Sequence, residues 1–161
     1  MRVVVADTGP LHYLILIGQI DVLPRLFTSV AVPEAVAAEL RHYKAPTEVR
    51  AWISRPSSWL AVHADPAEPL SLPLDPGENA AIALALRLGA ELLLVDDRAG
   101  AAAARDRGLE ATGTIGILAR AAQRRLLDLP AAVAALRSTN FYCSPTLLDA
   151  LLADWRKDRG A

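Results

Sequence analysis

Short apolar runs that end in aspartate constrain the fold of this chain more than any other feature. The first run covers residues 2–6, is mostly β-branched and ends at Asp7. A second run, residues 92–95, ends at the pair Asp96 and Asp97. Fully apolar strands of this length are buried on both faces, and parallel pairing requires crossover connections. The pattern predicts an α/β fold of three layers, with a central parallel sheet flanked by helices.

The remaining segments alternate in the same way. Further strands are expected at 28–32, at 58–63 as an exposed edge strand, and at 109–112. Helical spacing of apolar residues predicts the helices. They are expected at 11–17, 20–26, 33–40, 47–53 and 75–88, then in an alanine-rich segment ending at Arg107, and from Thr114 onward. Residues 66–76 are rich in proline and form the longest predicted loop.

The length of 161 residues fits one compact domain that buries a core without disulfides. Its second half ends in two helical segments, at about 130–136 and 146–157, on either side of a polar break at 138–145. We therefore predict a main core over residues 1–126 and a helical carboxyl-terminal extension over residues 127–161 that packs on the same domain.

Charge and cysteine content limit the classes of partner and compartment. The formal net charge is −1, so contact with nucleic acid would have to come from a local patch or through bound cations. The single cysteine, Cys143, cannot form an internal disulfide, which favours a reducing cytoplasm. No run approaches the ~18 apolar residues of a membrane span. We expect a cytoplasmic protein without a membrane partner.

The aspartates fall where the active crevice of an open α/β sheet lies, at the carboxyl ends of strands. Two neighbouring strands that end in Asp7 and in Asp96 and Asp97 would bring like charges together, and these repel unless a cation lies between them. Carboxylates and water are the ligands of hard ions such as Mg²⁺ or Mn²⁺. The three histidines are too scattered to form a zinc site.

Several of these acids also have a purely structural interpretation. Asp7 stands before a Thr-Gly-Pro sequence and has the character of a turn residue or a helix cap. Asp75, followed by Pro76 and Glu78, matches a capping box with proline at the first helical position. Taken singly, these residues leave the structural and the functional interpretation open.

The same question applies to the other acids. Asp97 is suited to cap the helix that follows it, but a cap requires one aspartate, and Asp96 is then left at the end of an apolar strand. Glu39 lies in a helix of small apolar residues and is consistent with a glutamate that faces solvent. The aspartate pair is therefore the stronger indication of a site.

Five ordered segments resemble the PIN-domain family, and in particular the branch that begins with Asp-Thr-Gly-Pro-Leu. The resemblance covers roughly residues 2–125. It implies a PIN-like sheet wrapped by helices, an acidic pocket that binds Mg²⁺ or Mn²⁺, and hydrolysis of RNA phosphodiester bonds, as in VapC-type toxins of toxin–antitoxin pairs. The segments are 7–11, 32–40, 74–85, 92–98 and 112–118.

The resemblance also implies roles for individual residues. The catalytic carboxylates would be Asp7, Glu39, Glu78 and Asp97, and the metal ligands Asp7, Asp97, Asp96 and Glu78. Many PIN domains have an aspartate in the helix where Glu78 stands here. The extra methylene leaves the geometry at Glu78 open, and Asp75 remains an alternative ligand.

The implied partners are an RNA substrate, an antitoxin protein and a second copy of the chain in a homodimer. Thr8 and Arg98 are expected to bind substrate, with Arg105 and Arg107 as further candidates for phosphate contacts. Two alternatives remain at this point. One is a nuclease acting on DNA, because nothing in the sequence distinguishes ribose from deoxyribose. The other is a PIN-like binding or assembly module without activity.

Overall fold

The computed structural model describes residues 3–68 and 70–160, and in them a five-stranded sheet forms the centre of the molecule. The strands lie in the order β3-β2-β1-β4-β5, and every neighbouring pair is parallel. The predicted three-layer α/β fold with a central parallel sheet is therefore confirmed. The strands are β1 (Val4–Ala6), β2 (Val30–Pro33), β3 (Leu60–His63), β4 (Leu92–Leu94) and β5 (Glu110–Thr112).

Nine helices flank the sheet within the described residues. The first begins at Thr8, three residues before the predicted start, because Pro10 lies in the first turn, where its missing N–H removes no helical hydrogen bond. Arg2 of the predicted first strand and Pro69 of the predicted loop lie outside the described residues. The helices are α1 (Thr8–Leu16), α2 (Val22–Phe27), α3 (Glu34–Arg41), α4 (Thr47–Ser54), α5 (Pro76–Leu88), α6 (Arg98–Asp106), α7 (Thr114–Gln123), α8 (Leu129–Arg137) and α9 (Pro145–Gly160).

The two central strands show why their sequences are apolar throughout. All residues of β1 and β4 are buried, and the strands pair in register from Val4 with Leu92 to Ala6 with Leu94. Strand β3 lies at the edge, as predicted, and exposes Val62 to solvent. Burial on both faces requires an apolar side chain at every position, whereas an edge strand tolerates exposure.

The strand order changes direction between β1 and β4. The chain runs from β1 to β2 and β3 on one side, and then returns to β4 and β5 on the other side. Such a switch point leaves a crevice at the carboxyl ends of the two strands. Asp7 follows β1 directly, and its backbone N–H donates to the carbonyl of Leu94 at 2.8 Å. Asp96 lies two residues beyond β4, at the same edge.

The carboxyl-terminal helices are part of the main hydrophobic core. Helices α8 and α9 contact α7 and each other, and their buried side chains, which include Leu136 and Leu148, belong to the same cluster as the sheet. The boundary at residue 126 stays a prediction. None of the helices in the described ranges combines the length and the hydropathy needed to cross a bilayer.

Two leucines on α5 provide a matched test of how this helix packs. Leu84 is fully buried, whereas Leu86 is 41% exposed. We expect Leu84→Ala to lower the free energy of unfolding by about 2–5 kcal/mol, because it leaves a cavity under the sheet. Leu86→Ala makes the same chemical change in the same helix and should cost less than about 1 kcal/mol. Urea unfolding followed by circular dichroism measures both, and equal losses would contradict the described orientation of α5.

Candidate functional site

Four acidic side chains gather at the carboxyl edge of the sheet, and we call them the acidic cluster: Asp7, Glu39, Asp75 and Glu78. Asp7 follows β1, Glu39 lies near the end of α3, and the other two lie at the start of α5. Burial raises the pKa of Asp7, and charge repulsion from Asp75, Glu78 and Glu39 adds to it, so the four are close enough to interact. The fold thus brings together three predicted site residues and also Asp75, the alternative ligand.

Asp7 is the most buried acid of the cluster. Its side chain is 6% exposed, and its Oδ1 has no hydrogen-bond partner in the described part of the chain. Burial raises the pKa of Asp7 to about 8, and the neighbouring carboxylates add to the effect, while the backbone N–H of Thr8 opposes it. A buried carboxylate with a free oxygen is costly unless a cation compensates it. Oδ1 of Asp7 is therefore a natural ligand atom for a cation.

Glu78 lies close both to the other acids of the cluster and to Asp97, which follows β4. Burial raises its pKa to about 7, and repulsion from Asp75, Asp97 and Glu39 contributes. The N–H of Glu78 donates to Oδ1 of Asp75 at 2.8 Å, and the N–H of Asp75 donates to the carboxylate of Glu78. The predicted capping box is therefore present. Its residues also lie in the acidic cluster, so the structural and the functional interpretation are compatible.

Glu39 is held by two neutral donors. The hydroxyl of Thr8 and the backbone N–H of Gly77 both donate to its carboxylate. A Cβ at Gly77 would lie too close to Oε1 of Glu39, so any other residue here would displace the Glu39 carboxylate. Burial nevertheless raises the pKa of Glu39, with Asp75 contributing. Thr8, predicted to bind substrate, is thus engaged within the protein, and its role toward substrate stays a prediction.

Asp96 is bound to the start of α7. The backbone N–H of Thr114 donates to Oδ1 of Asp96 at 2.7 Å, and the Thr114 hydroxyl donates to Oδ2 at 2.8 Å. A Cβ at Gly113 would lie 2.5 Å from Oδ1. Burial raises the pKa of Asp96, while the two hydrogen bonds lower it. Both oxygens of Asp96 therefore already have partners, and its role as a metal ligand stays a prediction.

Thr114 is a residue that the sequence analysis did not assign to the site. It is fully buried and begins the helix that follows β5. The available signal was its position, directly after Gly113, at the same sheet edge as Asp96. A threonine at the first position of a helix has a hydroxyl and a free N–H that can both donate to a carboxylate, and at Thr114 both donate to Asp96.

Asp97 and Arg98 lie at the amino terminus of α6. Oδ2 of Asp97 accepts a hydrogen bond from the N–H of Gly100 at 2.9 Å, as expected for a helix cap. Asp97 is exposed, yet it repels Glu78 and so lies near the acidic cluster. Arg98 is exposed and donates no hydrogen bond to any described residue. Its position beside the acids is compatible with its predicted contact to substrate.

The acidic cluster has the donor chemistry of a hard divalent cation. Within the described residues, the charged groups that shift the pKa values of Asp7, Glu39 and Glu78 are all carboxylates, and no Lys or Arg side chain offsets their repulsion. Within the described ranges, no three His, Cys, Asp or Glu side chains are arranged closely enough to enclose one ion. Mg²⁺ usually keeps several waters and takes few protein ligands. The free Oδ1 of Asp7 with a neighbouring carboxylate therefore fits such an ion, with water as the remaining ligands.

Comparison with known proteins finds a family model that matches the chain and solved structures that resemble it. A family model described as DUF3368, PIN domain, matches residues 3–157. A PilT N-terminus domain protein from the archaeon Sulfolobus solfataricus P2 is 15% identical, with a TM-score of 0.52 over 88% of this chain and 98% of that chain. The likeness to this archaeal protein shows the fold alone.

A domain of a functionally unknown protein from Methanocaldococcus jannaschii DSM 2661 is 21% identical. Its TM-score is 0.47, and the match covers 70% of this chain and 91% of that chain. No argument is based on this likeness. No curated protein matches the chain.

The buried acids predict that the protein without divalent cation loses stability as the pH rises. The folded-state pKa of about 8 for Asp7 lies above its ordinary value, so between about pH 4 and 8 the unfolded state binds fewer protons. The free energy of unfolding must then fall with pH in this range. We expect a fall of about 1–3 kcal/mol from Asp7 between pH 5 and 8, which Asp7→Asn abolishes.

Urea unfolding at several pH values in EDTA measures this dependence. Glu78 contributes with the same sign, so the Asp7→Asn variant should keep part of the fall. The control is Asp149→Asn, which removes an exposed acid on α9 and should keep the full pH dependence of the wild type. The raised pKa of Asp7 would be refuted if Asp7→Asn and Asp149→Asn gave the same curve.

Proposed function

Because the chain belongs to the PIN-domain family, we propose that it is a metal-dependent endoribonuclease that hydrolyses RNA phosphodiester bonds at the acidic cluster. The family model spans residues 3–157, and PIN domains are typically metal-dependent nucleases that act on nucleic acid. One observation carries the proposal: the buried Oδ1 of Asp7 has no protein partner and lies among three further acids at the switch point of the sheet.

We assign the cation, Mg²⁺ or Mn²⁺, to Asp7, with Glu78, Asp97 and Asp96 as the neighbouring carboxylates. When bound, such an ion lowers the pKa of water and neutralises negative charge on the phosphoryl oxygens. Glu78, which lies beside Asp75, Asp97 and Glu39, is the candidate to accept the proton of the attacking water. The new bond joins water oxygen to phosphorus, and the broken bond releases a 3′-hydroxyl.

The remaining predicted residues would support this reaction. Glu39, fixed by Thr8 and Gly77, adds negative charge that strengthens cation binding at Asp7. Arg98, exposed beside Asp97, would contact a phosphate of the substrate. These assignments require that the protein binds nucleic acid through local contacts, since its net charge is −1.

We further propose that the nuclease is the toxin of a toxin–antitoxin pair and acts as a homodimer. The support is the resemblance of residues 7–11 to the Asp-Thr-Gly-Pro-Leu branch of the family, which implies an activity like that of VapC-type toxins. A binding or assembly module is a second candidate. The engagement of both oxygens of Asp96 by Thr114 favours it, because one of the predicted ligands is then occupied.

Cleavage assays with Asp7→Asn test the catalytic role. We expect the purified protein to cut mixed single-stranded RNAs in Mn²⁺ or Mg²⁺, and we expect EDTA or Asp7→Asn to lower the rate at least about 100-fold, since the main ligand atom is removed. Asp149→Asn makes the same change on α9, where Asp149 pairs with Arg137, and should cleave like the wild type. The same pair of variants tests toxicity: induced expression should arrest growth only when Asp7 is intact.

The outcomes separate the candidate functions. Cleavage that persists in Asp7→Asn would refute the assigned site. Cleavage of DNA but not of RNA would identify DNA as the substrate. Binding of RNA without cleavage of either polymer would identify a binding module.

A second pair of variants distinguishes Glu78 from Asp75 as ligand. Asparagine keeps the helix cap at position 75, and glutamine at position 78 keeps an oxygen that accepts the N–H of Asp75. Both changes therefore remove charge and preserve the start of α5. We expect Glu78→Gln to lower cleavage about 100-fold and to raise the Mn²⁺ concentration needed for half-maximal rate. Asp75→Asn should change the rate less than about tenfold, and the opposite order would assign the cation to Asp75.

A further inference from the structure

The segment between α8 and α9, residues 138–144, lies against the active edge of the sheet. The hydroxyl of Tyr13 on α1 donates to Oδ1 of Asn140 at 2.9 Å. The Tyr13 ring also meets the ring of Phe141 edge to face, with centroids 4.9 Å apart. Burial and then the charge of Asp96 raise the pKa of Tyr13, which places this anchor beside the acids. We call residues 138–144 the linker.

A groove of about 920 Å³ separates the linker from α6. Asp96 and Asp97 line it near the carboxyl end of β4, and Arg98 and Arg105 line it along α6. The linker contributes the third wall with Phe141 to Ser144. The groove therefore joins the proposed catalytic edge to a surface that carries both cationic and aromatic groups.

The two arginines in the groove are available to a ligand. They are seven residues apart on α6, which places them on one helix face, about 10 Å apart along the axis. Both are exposed. Arg98 has no hydrogen-bond partner among the described residues, and Arg105 donates only to the carbonyl of Ala111, at 3.3 Å. The chain has a net charge of −1, so contact with a polyanion requires local cationic groups, and these two exposed arginines supply them beside Asp96 and Asp97.

Tyr142 supplies the aromatic element of the groove. Its side chain is 97% exposed, whereas its neighbour Phe141 is partly buried against the core. An exposed tyrosine on a short segment anchored by Tyr13 and Asn140 offers a ring face without a protein partner. Base stacking on such a ring is tolerant of sequence, and it requires unpaired bases whose faces are accessible.

We propose that this groove binds single-stranded nucleic acid next to the cleaved phosphodiester, with Arg98 and Arg105 on phosphates and Tyr142 stacked on a base. The inference rests on the proposed function, because the acidic cluster is taken as the point of cleavage. It gives the carboxyl-terminal linker a direct role in substrate binding. A double helix keeps its bases stacked inside and presents no free base face to Tyr142.

Fluorescence anisotropy with a labelled single-stranded RNA of mixed sequence tests the groove. All variants are made in the Asp7→Asn chain, so that the probe is bound and not consumed. We expect Tyr142→Leu to weaken binding about fivefold or more, and Tyr142→Phe, which keeps the ring, to bind within about twofold of the parent. Tyr142 is exposed, so neither change should affect folding.

The salt dependence of binding distinguishes the contribution of the arginines from that of the tyrosine. Arg105→Ala should weaken binding and lower the slope of log affinity against log salt by about 0.7, the value for one phosphate contact of a single strand. Tyr142→Leu should leave that slope unchanged. The matched control is Arg87→Ala, because Arg87 is exposed at the opposite end of α5 from Glu78 and should change neither affinity nor slope.

The assay also distinguishes failure of this inference from failure of the nuclease assignment, because binding does not depend on cleavage. If the wild type cleaves RNA while Tyr142→Leu binds as tightly as Tyr142→Phe, the groove proposal is overturned and the nuclease stands. If binding depends on the Tyr142 ring but the wild type cleaves nothing, the groove is supported and hydrolysis is overturned. Absent binding, or equal affinity for duplex and single strand, overturns the groove.

Discussion

Repulsion among carboxylates at one edge of the sheet is the constraint on which the rest of the site depends. Within the described residues no ion pair offsets it at Asp7, Glu39 or Glu78. Backbone N–H groups at helix starts offset part of it, from Thr8 of α1 to Asp7 and from Gly77 of α5 to Glu39. The starts of α5, α6 and α7 each donate backbone N–H groups to a carboxylate, and each carries the positive end of a helix dipole. The sheet brings the acids together, and backbone N–H groups at helix starts offset part of their repulsion.

This arrangement divides the acids into two kinds. Asp96 has both oxygens bound by Thr114 and joins β4 to α7, so it resembles a structural clamp. Asp7 is more deeply buried than Asp96 and keeps Oδ1 without a hydrogen-bond partner in the described part of the chain. Two aspartates at the ends of adjacent parallel strands therefore differ in hydrogen bonding because their neighbours differ. Asp7 precedes α1, but its side chain makes no cap hydrogen bond there.

The sequence predicted the sheet, the helices and the family because these depend on local patterns. Apolar runs at β1 and β4 report burial directly, and the family resemblance is confirmed by the model that matches residues 3–157. The hydrogen-bond partners of the acids could not be predicted from the sequence. Thr114 meets Asp96 across 18 positions, and Tyr13 meets Asn140 across 127, so no local pattern indicates either contact. The place of the linker beside the site follows from such long-range contacts alone.

The caps at Asp75 and Asp97 have a consequence for ligand binding. Each uses one carboxylate oxygen to hold a helix start and leaves the other oxygen in a fixed direction. A free aspartate on a loop must lose rotamer freedom when it meets a ligand, and this loss opposes binding. Here that freedom is already lost when α5 and α6 form. An ion or phosphate bound at the candidate site would therefore meet two carboxylates, at Asp75 and Asp97, whose freedom is already limited by the helices they cap.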